Sequence, residues 1–449
     1  MVQAGAVVKW TGRSRTSGRR WRAAFAAAAI GGAGAVGAGC ARRGDAETVV
    51  ELWAMGREGE VVAELVPAFE LRTPGVHVRV QQIPWSAAHE KLLTAYVGDA
   101  MPDVMQLGNT WLPELVALGA VAALDARIGA SATVRLASYP SGIVDPNVVD
   151  GATYAIPWYV DTRVLFYRAD LLRAAGHPEP PATWDDWLAT LADVKARAGT
   201  GRYAILLPMD EWQLPVILAL QRGATLLRDG DRWGNFASPP VHDALAFYLG
   251  LFDRELAPRA GAAQVANVYQ DFAQGYFALY VTGPWNLGEF ARRLPPELAN
   301  AWATAPLPGP DATHPGVSLA GGASLALARR SPHADAAWRF VEYLAEPAQQ
   351  LALYRLAGDL PARSEAWDDP HLRDDRRAQA FAIQLQHVRS TPKIPEWERI
   401  ASAVGEHVEA AIRGRAALDD ALVALDADVD AILEKRRWIL ERAEGRDGR

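Results

Sequence analysis

The sequence predicts an α/β protein built as two lobes, and three observations carry that expectation. The chain has 449 residues with half of its side chains apolar, too long for one ordinary domain. From Thr48 onward, short β-branched runs alternate with helical ones across short links, the pattern of a mostly parallel sheet covered by helices. No long low-complexity linker interrupts the chain after Asp45, so lobes of roughly 150–220 residues must be joined by short crossings.

The first 39 residues stand apart from this pattern. They carry six basic residues, Lys9 to Arg22, and no acid, followed by "AAFAAAAIGGAGAVGAG" and the only cysteine, Cys40. A basic segment, a short apolar run and small residues at the break are the pattern of a secretory signal peptide, expected over 1–39. The uncharged run from Ala23 to Ala41 is long enough to raise a retained membrane anchor as an alternative, but it is mostly Ala and Gly. "GAGC" resembles the lipobox of bacterial lipoproteins, with Gly37 where a larger aliphatic residue is more typical. That resemblance implies cleavage before Cys40, acylation of Cys40, and a lipidated tether over 40–46 holding the protein to a membrane.

Without the six basic residues the formal charge of −7 becomes about −13, and no basic stripe follows Arg43. Nucleic acid is therefore not an expected partner, nor is an anionic membrane surface bound through charge.

Along the mature chain, "TVVELWAM" (48–55) reads as a strand that Gly56 and Gly59 break, followed by a helix on Val61, Leu65, Ala68 and Phe69. "VHVRVQQI" is a second strand. "SAAHEKLLTAYVGD" is a helix with Ser86 as its expected cap. "PDVMQLG" is a third strand, with Asp103 suited to brace its start. Thr183 opens a helix whose first turn carries Asp185 and Asp186. "DFAQGYFALYVTGPWNLGEFARR" reads as helix, strand, Gly-Pro turn and helix. The stripe Leu418, Leu422, Leu425, Val429 and Ile432 lasts too few heptads for a coiled coil and is expected to pack on its own lobe.

"YAIPWYVDTRVLFYR" (154–168) is the least regular of the strands. Both ends read as buried strand, but Pro157, Trp158, Tyr159 and Asp161 interrupt the middle. Proline removes an N–H and is out of place in a central strand unless regular pairing lapses there. A strand that leaves one lobe, crosses a cleft and enters the next would carry such an interruption.

Enzyme chemistry finds no support in the motifs. There is no G-x-S-x-G elbow, no phosphate loop and no dinucleotide fingerprint. "HEKLL" begins like a zinc-protease helix, but Leu93 occupies the second ligand position, and the nine histidines never fall at ligand spacing. Two carboxylates would suffice for glycoside hydrolysis, and Asp103, Asp161, Asp271 and Glu396 are conceivable acids that nothing distinguishes from hydrogen-bonding carboxylates. A secreted glycan-processing enzyme stays as an alternative, and so does a surface glycan-adhesion or sensing lipoprotein.

Tryptophan is the distinctive residue, with 16 in the chain and many beside turns: Trp53, Trp111, Trp158, Trp212, Trp285 and Trp397. An indole offers a flat apolar face and one N–H donor, which complements the C–H face and hydroxyl fringe of a sugar ring. Because tryptophan is also a core residue, about half of these are expected to be plain core.

Six segments in order carry a family resemblance over essentially the whole mature chain. They are "VVELWAMGREGEVVAELVPAFELRTPGVHVRV", "AAHEKLLTAYVGDAMPDVMQLGNTWLPELVALGAVAAL", "YAIPWYVDTRVLFYRADLLRAAG", "PPATWDDWLATL", "QGYFALYVTGPWNLGEF" and "GDLPARSEAW". Together the chain resembles an extracytoplasmic sugar-binding protein of a bacterial ABC importer, in the maltose/trehalose-binding-like group. The resemblance implies a two-lobe periplasmic-binding-protein fold with hinge crossovers and an interlobe cleft. It places 47–157 and 314–358 in one lobe and 158–313 and 359–449 in the other. Pro157 to Asp161 then lie near the hinge, with further crossings at Gly316–Gly322 and near Gly358–Arg363.

Carried over by position, the resemblance implies sugar contacts from Trp53, Glu58, Asn109, Trp111, Trp158, Asp161, Trp212, Trp285 and Arg363. Gly321 and Gly322 would allow close backbone approach. The implied partners are a di- or oligosaccharide such as maltose or trehalose, the membrane permease subunits of the importer, and the lipid membrane through acylated Cys40. The implied protein is a monomer outside the cytoplasm, periplasmic or at the cell surface, without metal or cofactor and without catalysis.

Overall fold

The structure is a computed structural model, and it describes residues 47–265 and 267–447. The expected signal peptide (1–39) and tether (40–46), Cys40 among them, lie outside the described residues. Two sheets organise the chain. The first contains β1 (Thr48–Met55), β2 (Val76–Ile83), β3 (Val104–Gly108), β4 (Ala155–Asp161) and a late strand, Gly321–Leu327. The second contains β5 (Val164–Arg168), β6 (Ile205–Leu206), β7 (Leu279–Thr282) and β8 (Trp302–Ala305). With Gly321–Leu327 named β9, the orders are β2-β1-β3-β9-β4 and β8-β5-β7-β6. This is the two-lobe periplasmic-binding-protein architecture, one sheet to each lobe.

The strands that read as continuous apolar runs are the central ones. β1 is parallel to β2 and β3, and its inner residues Val50, Leu52 and Ala54 are fully buried. Alternation sends Trp53 and Met55 to the opposite face, where they pack with Ala88 and Leu92 of helix α2 (Trp85–Val97). Asp103 braces this sheet: its carboxylate accepts from the Glu51 N–H at 2.9 Å and the Ser331 hydroxyl at 2.5 Å. Ser86 is not the cap of α2. The helix starts one residue earlier, after Pro84, because the proline's fixed φ already turns the chain out of β2.

β4 and β5 are the two halves of the interrupted stretch. β4 pairs antiparallel with β9 in the first sheet, and β5 pairs with β7 and β8 in the second. Only Thr162 and Arg163 separate them, so the change of sheet falls beyond Pro157 and not at it. Within β4 the register shifts: Ala323 faces Tyr159 while Ser324 faces Pro157. Trp158 is the extra residue of a β-bulge, and the missing N–H of Pro157 sits beside it. The return crossing runs between β8 and β9. There Gly321 and Gly322 admit the partner strand: a side chain on Gly321 would meet the Asp161 carbonyl at 2.6 Å, and one on Gly322 would collide with the Tyr159 carbonyl. Near the third expected crossing the chain stays on the first sheet beyond Gly358, because the Val160 N–H donates to the Leu360 carbonyl at 2.9 Å.

Helices follow the sequence pattern closely. Thr183 caps α3 (Trp184–Ala198), its hydroxyl accepting from the Asp186 N–H at 3.1 Å. The stripe Leu422, Leu425 and Val429 is buried against Trp397–Ile412 and the second lobe's core. Among the described residues no helix is long and apolar enough to cross a membrane.

Candidate functional site

A cavity of about 480 Å³ opens where the carboxyl ends of the first sheet's strands face helices of the second lobe. Each of the first three strand–helix turns contributes. After β1, Gly56 takes a left-handed conformation (φ +53°), and a Cβ there would sit 2.8 Å from the Trp85 indole nitrogen. That turn starts helix α1 (Gly56–Val61) and sets Glu58 in its first turn. After β2 comes Trp85, and after β3 come Asn109 and Trp111. The rings of Trp85 and Trp111 meet edge to face at 5.5 Å.

The opposite wall comes from helix starts in the second lobe. Trp212 directly precedes α4 (Gln213–Gln221), and its ring meets the buried Trp397 edge-on at 5.6 Å. Trp285 opens α5 (Trp285–Arg293), and Glu289, one turn on, lies on the same helix face. Arg163, at the change of sheet, spreads over the Trp285 ring at 4.6 Å and pairs with Asp161. Indole faces and polar groups thus line one hollow from both sides.

The floor is a directed hydrogen-bond relay. The Met55 N–H donates to Gln106 Oε1 (2.7 Å), Gln106 Nε2 donates to the Tyr159 hydroxyl (2.9 Å), and Tyr159 donates to Glu58 Oε1 (2.5 Å). A main-chain N–H can only donate, so the relay has one polarity and Glu58 is its acceptor. Burial pushes the Glu58 carboxyl up, opposed by the bonds it accepts from Tyr159 and Trp85, while Asp161 adds to the rise. Asp359 also lines the cavity at 2% exposure, and its carboxyl lies well above the usual range through burial and the nearby Glu58 and Asp161. Asn109 accepts from Ser324 through Oδ1 at 2.9 Å, and its Nδ2 has no partner among the described residues.

The expected site residues divide clearly. Glu58, Asn109, Trp111, Asp161, Trp212 and Trp285 line the cavity, as do Gly321 and Gly322. Three do not. Trp53 points to the helix layer behind β1 and lies under Lys91, 4.5 Å from its ring. Trp158 is fully buried, because the bulge turns its side chain into the core instead of the cleft. Arg363 is buried too: it donates to the Thr133 carbonyl, pairs with Glu365 and lies over the Tyr139 ring. The two glycines serve strand pairing first, since the atoms closest to their missing side chains belong to β4.

Sequence reasoning missed Trp85, Arg163 and Asp359. Trp85 carried the same signal as Trp111, an indole just after a strand. Among the described residues no group of three or more His, Cys, Asp or Glu side chains is placed to hold a metal ion.

Comparison with known proteins agrees with this geometry. Residues 55–351 match the family described as bacterial extracellular solute-binding protein. The structure of the sugar-binding protein MalE from the phytopathogen Xanthomonas citri is similar at 47% identity and a TM-score of 0.83, over 88% of this chain and 99% of that one. The diacetylchitobiose binding protein DasA of Streptomyces coelicolor is 28% identical over 364 residues, 80% of this chain and 83% of its own. The maltotriose-binding protein of Pyrococcus abyssi is 23% identical over 401 residues, 86% of this chain and 80% of its own. With its strand-end cavity between two lobes and a family match over most of its length, the chain belongs to the bacterial extracellular solute-binding proteins.

Proposed function

We propose that this protein is the carbohydrate-capturing component of an ABC-type sugar importer, that it binds a di- or oligosaccharide by closing its lobes, and that maltose or trehalose is its ligand. One observation carries the sugar reading: four indoles, Trp85, Trp111, Trp212 and Trp285, line a single hollow together with the polar groups Glu58, Asn109, Asp161 and Asp359. Rings on opposite walls stack on the apolar faces of two sugar units, while the carboxyls and Asn109 Nδ2, which has no partner among the described residues, take the equatorial hydroxyls. The similarity to MalE of Xanthomonas citri supports the same ligand class.

Capture needs no bond breaking. Open and closed forms exchange, and sugar favours the closed one because only there do both walls touch it. A micromolar affinity corresponds to about −8 kcal/mol, within reach of stacked rings and several buried hydrogen bonds. Permease subunits then recognise the closed outer surface, and an acylated Cys40 keeps the protein beside them.

Titration of the mature chain with a panel of sugars tests this, read by tryptophan fluorescence and confirmed by calorimetry. Saturable one-to-one binding of maltose or trehalose is expected; a folded protein silent across a broad panel overturns the sugar assignment. The mass of the protein extracted from membranes tests acylation at Cys40.

A further inference from the structure

The cavity holds more negative charge than its own cations neutralise. Its lining contains two cationic side chains, Arg57 and Arg163. Arg57 pairs with Glu60 on the exposed side of α1, and Arg163 is committed to Asp161 and the Trp285 ring. Glu289 is matched by Arg292 and Arg293 on its own helix. Three lining carboxyls then have no ion pair among the described residues: Glu398, on the Trp397–Ile412 helix beside Trp212, and Glu58 and Asp359, of which Glu58 raises the Asp359 carboxyl.

Glu58 and Asp359 differ in what they can do. The relay from the Met55 N–H fixes Glu58 as an acceptor, and the indole N–H of Trp85 reinforces this. Asp359 is 2% exposed, lines the cavity and has no hydrogen-bond partner among the described residues. Two buried carboxyls that line one cavity oppose each other's ionisation unless a positive partner enters it. A neutral sugar leaves that conflict to a bound proton. A protonated amine resolves it, with three N–H donors for the two carboxyls and a charge that the surrounding indole faces attract.

Resting on the carbohydrate-binding reading, we propose that the cavity prefers a saccharide bearing a protonated amine over its neutral counterpart, with the ammonium held between Glu58 and Asp359.

Calorimetry on the full mature chain near neutral pH tests this, using trehalose and its 2-, 4- and 6-amino analogues as probes. At least one amino analogue is expected to bind about tenfold tighter than trehalose or better. In Asp359→Asn the ratio of the two affinities should collapse toward one; Glu58→Gln provides the same readout if the first variant folds poorly. If trehalose binds and every amino analogue binds equally or more weakly, the proposal is overturned while the carbohydrate assignment stands. A tenfold preference that survives both substitutions overturns the assignment of the ammonium to these carboxyls. Binding of no saccharide at all overturns both readings.

Discussion

The Tyr159 hydroxyl donates to Oε1 of Glu58 at 2.5 Å, joining two side chains 101 positions apart. The bond ties the first strand–helix turn to the bulged strand beside the change of sheet, so one polar relay joins the cavity floor to that strand. Tyr159→Phe removes the donor and leaves both Gln106 Nε2 and Glu58 short of a partner. A loss of about 1–3 kcal/mol in urea unfolding is expected, along with weaker sugar binding by calorimetry. Unchanged values in both would mean the relay does not organise the floor.

Three buried or lining tryptophans should respond in different ways. Trp285→Ala, at an exposed ring, is expected to weaken sugar binding by about tenfold or more through lost ring contact, with little change in thermal midpoint. Trp111→Ala should weaken binding similarly but also lower stability, because that ring is packed in the first lobe's core. Trp158→Ala should do the reverse of Trp285→Ala, because its ring fills the core: a destabilisation of about 3–5 kcal/mol is expected. Trp158→Phe keeps most of that packing and discards an indole N–H that has no partner among the described residues, so it should be far milder.

Stability should fall with rising pH through the cavity carboxyls. The folded values of Glu58 and Asp359 are raised, so the folded protein keeps protons that the unfolded chain has already lost. Their contribution is complete below about pH 4, the ordinary carboxylate range, and is lost as pH climbs through the raised folded values. Asp359→Asn removes the repulsion. In denaturant titrations across the acid-to-neutral range the variant should lose less stability than the parent, and at neutral pH it should be the more stable by about 1–3 kcal/mol. Parallel pH profiles would contradict the conflict between these two groups.

Gly321 probes the crossing itself. A valine there would drive its side chain against the Asp161 carbonyl, which a Cβ alone already approaches to 2.6 Å. Gly321→Val should separate β9 from the end of β4, costing about 1–3 kcal/mol, and should reduce the sugar-dependent change in radius measured by X-ray scattering. A variant that closes normally on sugar would place the hinge elsewhere.

Much of this protein was legible in the amino-acid order alone. Local rules act within a few residues, so the run from Thr48 to Met55, the Thr183 cap and the breaks at Gly56 and Pro157 declare themselves. The family resemblance carried Trp111, Asn109 and Glu58 over by position to the ends of the first sheet's strands, and all three line the cavity. Tertiary structure decided the rest, because a side chain's direction depends on what its strand pairs with. A single extra residue opposite Ala323 and Ser324 turned Trp158 into the core, leaving Tyr159 to carry the floor. That Asp359 and Glu58, 301 positions earlier in the chain, line one cavity follows only from the packing of the folded lobes. Charge on a cavity is a sum over distant segments, and only folding brings them close enough for that sum to matter.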